Sequence, residues 1–183
     1  MNLPNRLTLI RMGLALVMVA CLYAGQAPYD IAALIIFFAA SLTDWLDGRI
    51  ARKRNIITVL GCFLDPVADK FLILSAFIML SFRGMLPVWA VIIVLLRELA
   101  VDSLRLVASN AGAVISAGIF GKVKTVTQMA AVFGLLASCF LPVLAIPARV
   151  VLYISVLATL ASGIDYFMRN SAFFTGKKGE ADA

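Results

Sequence analysis

Apolar residues fill this chain in blocks of about twenty, each closed by a short cluster of proline, glycine, asparagine or charge. A helix needs about 20 apolar residues to cross the hydrocarbon core of a bilayer, so each block predicts one spanning helix. The first covers about residues 5 to 25, behind Pro4 and Asn5. Leu3, Leu7, Ile10 and Leu14 form one helical stripe at its start, which predicts a short interfacial helix leading into the span. Gly25 and Pro28 mark a turn, and the second block runs from about Ile31 through Ala40, past Asp44, into the basic cluster Arg49, Arg52, Lys53 and Arg54. Asn55 and Thr58 precede a third block, about Val59 to Phe82, and Arg83, Gly84 and Pro87 precede a fourth, about Val88 to Ala108. After the small-residue stretch SNAGAVISAGIFGK, a fifth block covers about Lys122 to Phe140. Pro142 and Pro147 bracket the turn to a sixth, about Arg149 to Met168. The expected architecture is an all-α polytopic membrane protein with six transmembrane helices and a short N-terminal interfacial helix. Residues 1–170 would form one domain and 171–183 a flexible polar tail.

Composition agrees: 63% of the 183 residues are hydrophobic and 14% charged, far from the usual balance of soluble domains. Six spans would leave no room for a separate soluble domain. Arg6 and Arg11 ahead of an apolar run resemble a signal peptide, but no convincing cleavage site follows, so the segment is read as mature structure. The net charge of +6, with no histidine, could point to nucleic acid in a soluble protein. Here its placement follows the membrane. With the N-terminus in the cytoplasm, Arg6, Arg11, Arg49, Arg52, Lys53, Arg54, Lys122, Lys124, Arg169, Lys177 and Lys178 fall at cytoplasmic ends. Only Arg83 and Arg149 fall at external turns, and Lys70, Arg97 and Arg105 lie within spans. Both termini are therefore expected in the cytoplasm, with no nucleic-acid partner. Cys21, Cys62 and Cys139 are far apart in apolar surroundings and are read as packing residues.

The exception to the apolar pattern is DWLDGRIARKRNIITVLGCFLDPVAD, residues 44–69. On the second predicted helix Asp44, Asp47, Gly48, Ala51 and Arg52 share one face, and on the third Gly61, Asp65 and Asp69 repeat at i, i+4 and i+8. Pro66 should disturb the third helix and free backbone carbonyls. The threading brings the four carboxylates to one cytoplasmic depth. Charge inside a bilayer costs about 2.5–3.5 kcal/mol per residue on insertion scales, and four acids on neighbouring helices would also repel each other. A bound hard cation resolves both: carboxylate oxygens without histidine or cysteine favour Mg²⁺, Mn²⁺ or Ca²⁺, and four could hold two ions suited to phosphoryl displacement. Salt bridges to Arg49, Arg52, Lys53 and Lys70 are one competing reading, and an acid-lined ion or proton pathway is another. Glycines on the acidic stripes and a strongly basic rim favour a phosphate-bearing substrate over both.

The string D-x-x-D-G-x-x-A-R, then G-x-x-x-D-x-x-x-D eight residues later, resembles the signature of the CDP-alcohol phosphatidyltransferases at every specified position. The resemblance implies a six-span integral membrane enzyme, a homodimer, that moves a phosphatidyl group from a CDP-linked lipid to an alcohol and releases CMP. It implies that Asp44, Asp47 and Asp65 bind metal, as Mg²⁺ or Mn²⁺ and as two ions, and hold the CDP diphosphate. Asp69 would complete the metal site and act as general base, Gly48, Ala51 and Gly61 would make room for cytidine, and Arg52 would neutralise phosphate.

Further strings, PNRLTLIR, FLDPVADK, REL with Arg105, and GKVKT with Gln128, resemble the bacterial phosphatidylglycerophosphate synthases, a branch of that family. That resemblance implies CDP-diacylglycerol and sn-glycerol 3-phosphate as substrates, with the 1-hydroxyl attacking. Arg97, Glu98, Asp102 and Arg105 share a helical face, and Lys122 and Lys124 open the fifth span. Arg105, Lys122 and Lys124 are expected around the glycerol phosphate, with Arg97 joining them or pairing with Glu98. A positive-inside anchor for the lysines and a structural ion-pair network on the fourth helix are the alternatives. Asn5, Thr8 and Arg11 match the family's N-terminal pattern and reach nucleotide or headgroup, or else cap and anchor the helix. Lys70 points about 100° from Asp69 and is left out of the site. Phe37, Phe38, Phe71, Phe77, Trp45 and Trp89 are read as lipid contacts or interface anchors. The remaining possibilities are an inositol phosphate, phosphatidylglycerol or serine acceptor, and, from another class, a small ion transporter. The basic face disfavours serine, and no inverted repeat supports transport.

Overall fold

A computed structural model describes residues 3–54, 59–110 and 118–170, with the side chains of 3–5, 44–54, 59–66, 69 and 110 outside the description. The described residues form helices and no strands: α1 (Leu3–Ala24), α2 (Ala27–Arg54), α3 (Val59–Phe82), α4 (Val88–Asn110), α5 (Ile119–Ser138) and α6 (Ala145–Arg169). A 3₁₀ turn, Pro142–Leu144, precedes α6. In lipid a backbone must satisfy its own polar groups, which is why apolar blocks of this length become helices whatever their individual propensities.

The punctuation residues act where chain geometry needs them. Gly25 and Gly84 adopt φ of 67° and 71°, a left-handed conformation that a Cβ would penalise. At the end of α3 the Gly84 N–H donates to the Ser81 carbonyl and the Met85 N–H to the Leu80 carbonyl, each at 2.9 Å, closing the helix in a Schellman motif. Several boundaries depart from expectation. α1 runs without a break, so among the described residues the expected interfacial stretch is continuous with the span. α2 begins at Ala27 because Pro28 fits a first helical turn, where its missing N–H is not needed. Pro147 lies in the first turn of α6 for the same reason. α3 is continuous through Pro66.

Among the described residues, three segments are both long and apolar enough to cross a membrane: Arg6–Ala24, Ile119–Ser138 and Pro142–Arg169. α2, α3 and α4, at 28, 24 and 23 residues, have spanning length but carry the charged positions singled out above. All six helices expose large apolar side chains, among them Leu16, Ile35, Ile78, Leu96, Val126 and Leu157. An outer surface of this kind suits lipid, not water.

The most extensive packing is α5 on α6, then α1 on α2 and on α3; α4 rests on α6 and α3, and α5 also touches α2 and α3. α5 and α6 approach closely at Gly134, where an added Cβ would lie 3.1 Å from the Ala148 Cβ. Small residues permit this approach, and van der Waals contact supplies the attraction where lipid offers no hydrophobic driving force. One core that includes Ala15, Met18, Phe37, Leu72, Phe77, Val94, Leu135 and Leu152 joins all six helices. Phe37 and Phe77 are thus core residues and not lipid contacts, while Phe38 and Trp89 are exposed as expected.

At the end of the bundle formed by the start of α2 and the close of α3, Arg83 grips buried Asp30 through both terminal nitrogens, Nη2 to Oδ2 at 2.9 Å. The hydrogen bonds that Arg83 donates to the Asp30 carboxylate raise the Arg83 pKa above its ordinary value, so this clasp keeps its cation at any working pH.

Candidate active site

The helical backbones carry Asp44, Asp47, Gly48, Ala51 and Arg52 on α2, and Gly61, Asp65 and Asp69 on α3. Their shared-face spacing therefore holds on real helices. Their side chains, and that of Asn5, lie outside the described residues, and among the described residues no three acid, cysteine or histidine side chains cluster. Thr8 and Arg11, one turn apart on α1, are both 2% exposed and engaged with neighbours, so Arg11 does not sit at the surface as an anchor would.

Immediately after Asp69, Lys70 lines a cavity of about 570 Å³ between α3, α4 and α5. Spacing explains its walls. Arg97, Val101 and Arg105 lie at i, i+4 and i+8 on α4, and Gly121, Lys124, Thr125 and Gln128 at i, i+3, i+4 and i+7 on α5, so each helix turns one face inward. Five cationic side chains, Lys70, Arg97, Arg105, Lys122 and Lys124, face two carboxylates, Glu98 and Asp102. The four cations expected near the acceptor thus share one cavity. Lys70 joins them: the angle that separates it from Asp69 turns it towards α4, where it pairs with Asp102.

Glu98 organises the buried side of this wall. It accepts hydrogen bonds from Lys124 and from Arg97 Nη1, the latter at 3.2 Å. The pairing of Arg97 with Glu98 realises one of its two expected roles without removing Arg97 from the cavity lining. Asp102 takes Lys70, and among the described residues no carboxylate pairs with Arg105 or Lys122, both exposed.

α6 backs the site with a stripe of buried polar residues, Ser155, Thr159, Ser162 and Tyr166, at i, i+4, i+7 and i+11. Ser162 Oγ accepts from Arg97 Nη2 at 2.7 Å, and Gly163 leaves room for the Arg97 stem, since a Cβ there would lie 3.3 Å from Arg97 Cγ. The Tyr166 hydroxyl accepts from Arg105 Nε at 3.2 Å, with the guanidinium 5.6 Å from the ring centroid, within cation–π range. Gln128 Nε2 donates to Thr159 Oγ1 at 3.0 Å. None of these α6 residues stands out by type. Their helical repeat on an otherwise apolar span was the available signal.

Residues 1–161 match the family model described as CDP-alcohol phosphatidyltransferase. This chain belongs to the CDP-alcohol phosphatidyltransferase family. Among curated relatives, this transferase is 39% identical to a CDP-diacylglycerol--glycerol-3-phosphate 3-phosphatidyltransferase of Bacillus subtilis, over 92% of this chain and 95% of the relative. A probable phosphatidylglycerophosphate synthase of Mycobacterium tuberculosis is 40% identical, over 92% and 81% respectively. A Haemophilus influenzae CDP-diacylglycerol--glycerol-3-phosphate 3-phosphatidyltransferase is 36% identical, over 90% and 91%. Within this transferase, α3, α4 and α5 enclose a cation-rich chamber lined by Lys70, the residue that follows Asp69.

Proposed function

We propose that this enzyme transfers the phosphatidyl group of CDP-diacylglycerol to the 1-hydroxyl of sn-glycerol 3-phosphate, giving phosphatidylglycerol phosphate and CMP. The observation that carries the acceptor is the excess of cations in the cavity lined by Lys70, the residue that follows Asp69. A phosphate dianion entering it accepts charge-assisted hydrogen bonds from the guanidinium and ammonium groups.

In this reading Arg105 and Lys122 make the first contacts with the acceptor phosphate, and Lys124 and Arg97 complete its surroundings. The Arg105 bond to Tyr166 uses Nε, which leaves both terminal nitrogens for a bidentate phosphate contact. Asp69 takes the proton of the 1-hydroxyl as its oxygen bonds to the lipid-linked phosphorus, and the anhydride P–O bond breaks with its electron pair leaving on CMP. Gly48, Ala51 and Gly61 leave space for cytidine, Arg52 offsets diphosphate charge, and Asn5, Thr8 and Arg11 lie towards the nucleotide or headgroup. The donor set of Asp44, Asp47, Asp65 and Asp69 is all hard carboxylate oxygen, which fits two Mg²⁺ or Mn²⁺ ions. When bound, such ions supply charge neutralisation for the phosphoryl oxygens and the leaving group.

All six helices span the membrane in this proposal, with residues 1–170 as the catalytic unit, 171–183 as its tail, and both termini and the site on the cytoplasmic face of a bacterial inner membrane. On α4 the charged residues Arg97, Glu98, Asp102 and Arg105 line the cavity, which spares them direct contact with lipid. The working unit is a homodimer.

Purified protein in detergent, given CDP-diacylglycerol, Mg²⁺ or Mn²⁺ and one acceptor at a time, tests the reading through CMP release. Release is expected with sn-glycerol 3-phosphate and not with serine. Release with inositol phosphate or phosphatidylglycerol in its place would reassign the acceptor, and none with any alcohol from folded protein would overturn the enzyme reading.

A further inference from the structure

The cationic groups account for a phosphate but not for the rest of a small polyol. Gln128 is 1% exposed and lines the cavity with them. Its amide is oriented by a hydrogen-bond chain of fixed direction. The Thr159 hydroxyl donates its only hydrogen to the Ser155 carbonyl at 2.7 Å, so towards Gln128 it can only accept. The group facing it, at 3.0 Å, must therefore be the amide nitrogen, and Nε2 donates. That leaves Oε1 as the other pole of the amide. It makes no hydrogen bond among the described residues, yet it is not one of the sealed, unpartnered polar atoms. An acceptor oxygen on a cavity-lining residue, locked against flipping, is built to receive a donor.

Position narrows the donor. Gln128 is nine residues into α5 and one helical turn beyond Lys124, while Asp69 is ten residues into α3. Gln128 and Lys70, the residue that follows Asp69, line the same cavity. Every cation already present can donate to a phosphate; only a hydroxyl also needs an acceptor.

We propose that Gln128 is a specificity-determining residue: its Oε1 accepts a hydrogen bond from the non-attacking hydroxyl of the phosphorylated polyol acceptor, with Thr159 as the positioning residue that sets its direction. This rests on the acceptor reading above, in which that group is the 2-hydroxyl of glycerol 3-phosphate.

The test compares kcat/KM for sn-glycerol 3-phosphate with that for 3-hydroxypropyl phosphate, which keeps the phosphate and the attacking hydroxyl and lacks only the 2-hydroxyl. The unaltered enzyme should prefer glycerol 3-phosphate about tenfold, the scale of one hydrogen bond to a buried group. In Gln128→Met the ratio should fall to near one, and in Thr159→Val, which keeps the shape but frees the amide to turn, to an intermediate value. An unaltered enzyme that uses both acceptors equally overturns the proposal without any variant, as does a preference that survives in Gln128→Met. If Gln128→Met fails to fold, Thr159→Val and Gln128→Asn decide on the same ratio. An unaltered enzyme inactive with both phosphates, but active with another alcohol, would instead refute the acceptor reading beneath it.

Discussion

Glu98 is the counter-charge on which the inner wall of the cavity depends. Its side chain is 8% exposed, facing Lys124 at 9% and Arg97 at 11%, so solvent screens the three groups poorly. Glutamine at this position keeps the shape and one acceptor oxygen but leaves two buried cations without an anion. Breaking a buried pair from one side costs about 3–5 kcal/mol in soluble proteins. The retained oxygen, and the alternative partners open to a chain in a bilayer, favour the low end, about 3 kcal/mol. With about 2–4 °C per kcal/mol for a chain of this size, Glu98→Gln should melt about 6–12 °C lower in detergent. Adding Lys124→Met to Glu98→Gln removes one of the stranded charges, so the double variant should recover part of that loss, and the two changes should couple by at least about 1 kcal/mol. A melting point within about 2 °C of the parent, or strict additivity, would refute Glu98 as the buried counter-ion.

Asp69→Asn should abolish CMP release while CDP-diacylglycerol still binds, since the amide cannot take a proton; turnover within about tenfold of the parent would remove Asp69 as the base. Tyr166→Phe deletes the hydrogen bond to Arg105 but keeps the ring beneath it, so KM for glycerol 3-phosphate should rise roughly 3- to 10-fold with little change in melting, and an unchanged KM would deny Tyr166 a positioning role. Asp30→Asn strands Arg83 at the far end of the bundle; it should lower the melting point by several degrees and leave both substrate KM values alone, whereas a KM change would show that this clasp communicates with the site.

The spacing of D-x-x-D-G and D-x-x-x-D was legible in the sequence and falls on helical backbone in α2 and α3, while the aspartate side chains lie outside the described residues. The cationic face of α4 was legible for the same reason. Lys70 was not. An ideal helix says how far it points from Asp69, but only the position of α4 says what it points towards. Ser162, Tyr166 and Thr159 were missed because serine, threonine and tyrosine are unremarkable on an apolar span until a neighbouring helix offers them an arginine or an amide. Phe37 and Phe77 failed in the opposite sense: aromatic side chains suit lipid and core alike, and the packing of the bundle chose the core.

What the order of residues settles here is whatever the bilayer enforces locally: apolar blocks become helices because no other backbone conformation satisfies its polar groups in lipid, and residues at helical spacing then share a face. Helix ends follow too, because glycine and proline act through φ and a missing N–H, not through distant contacts. The partnerships across helices are a different matter. Glu98 could have taken any of several cations, and Gln128 could have presented either end of its amide. α5 and α6 close on each other at Gly134, and α6 brings Thr159, Ser162 and Tyr166 against the site. That packing directs each buried polar group to one partner, because in the interior an unmet hydrogen bond costs more than any local preference can repay.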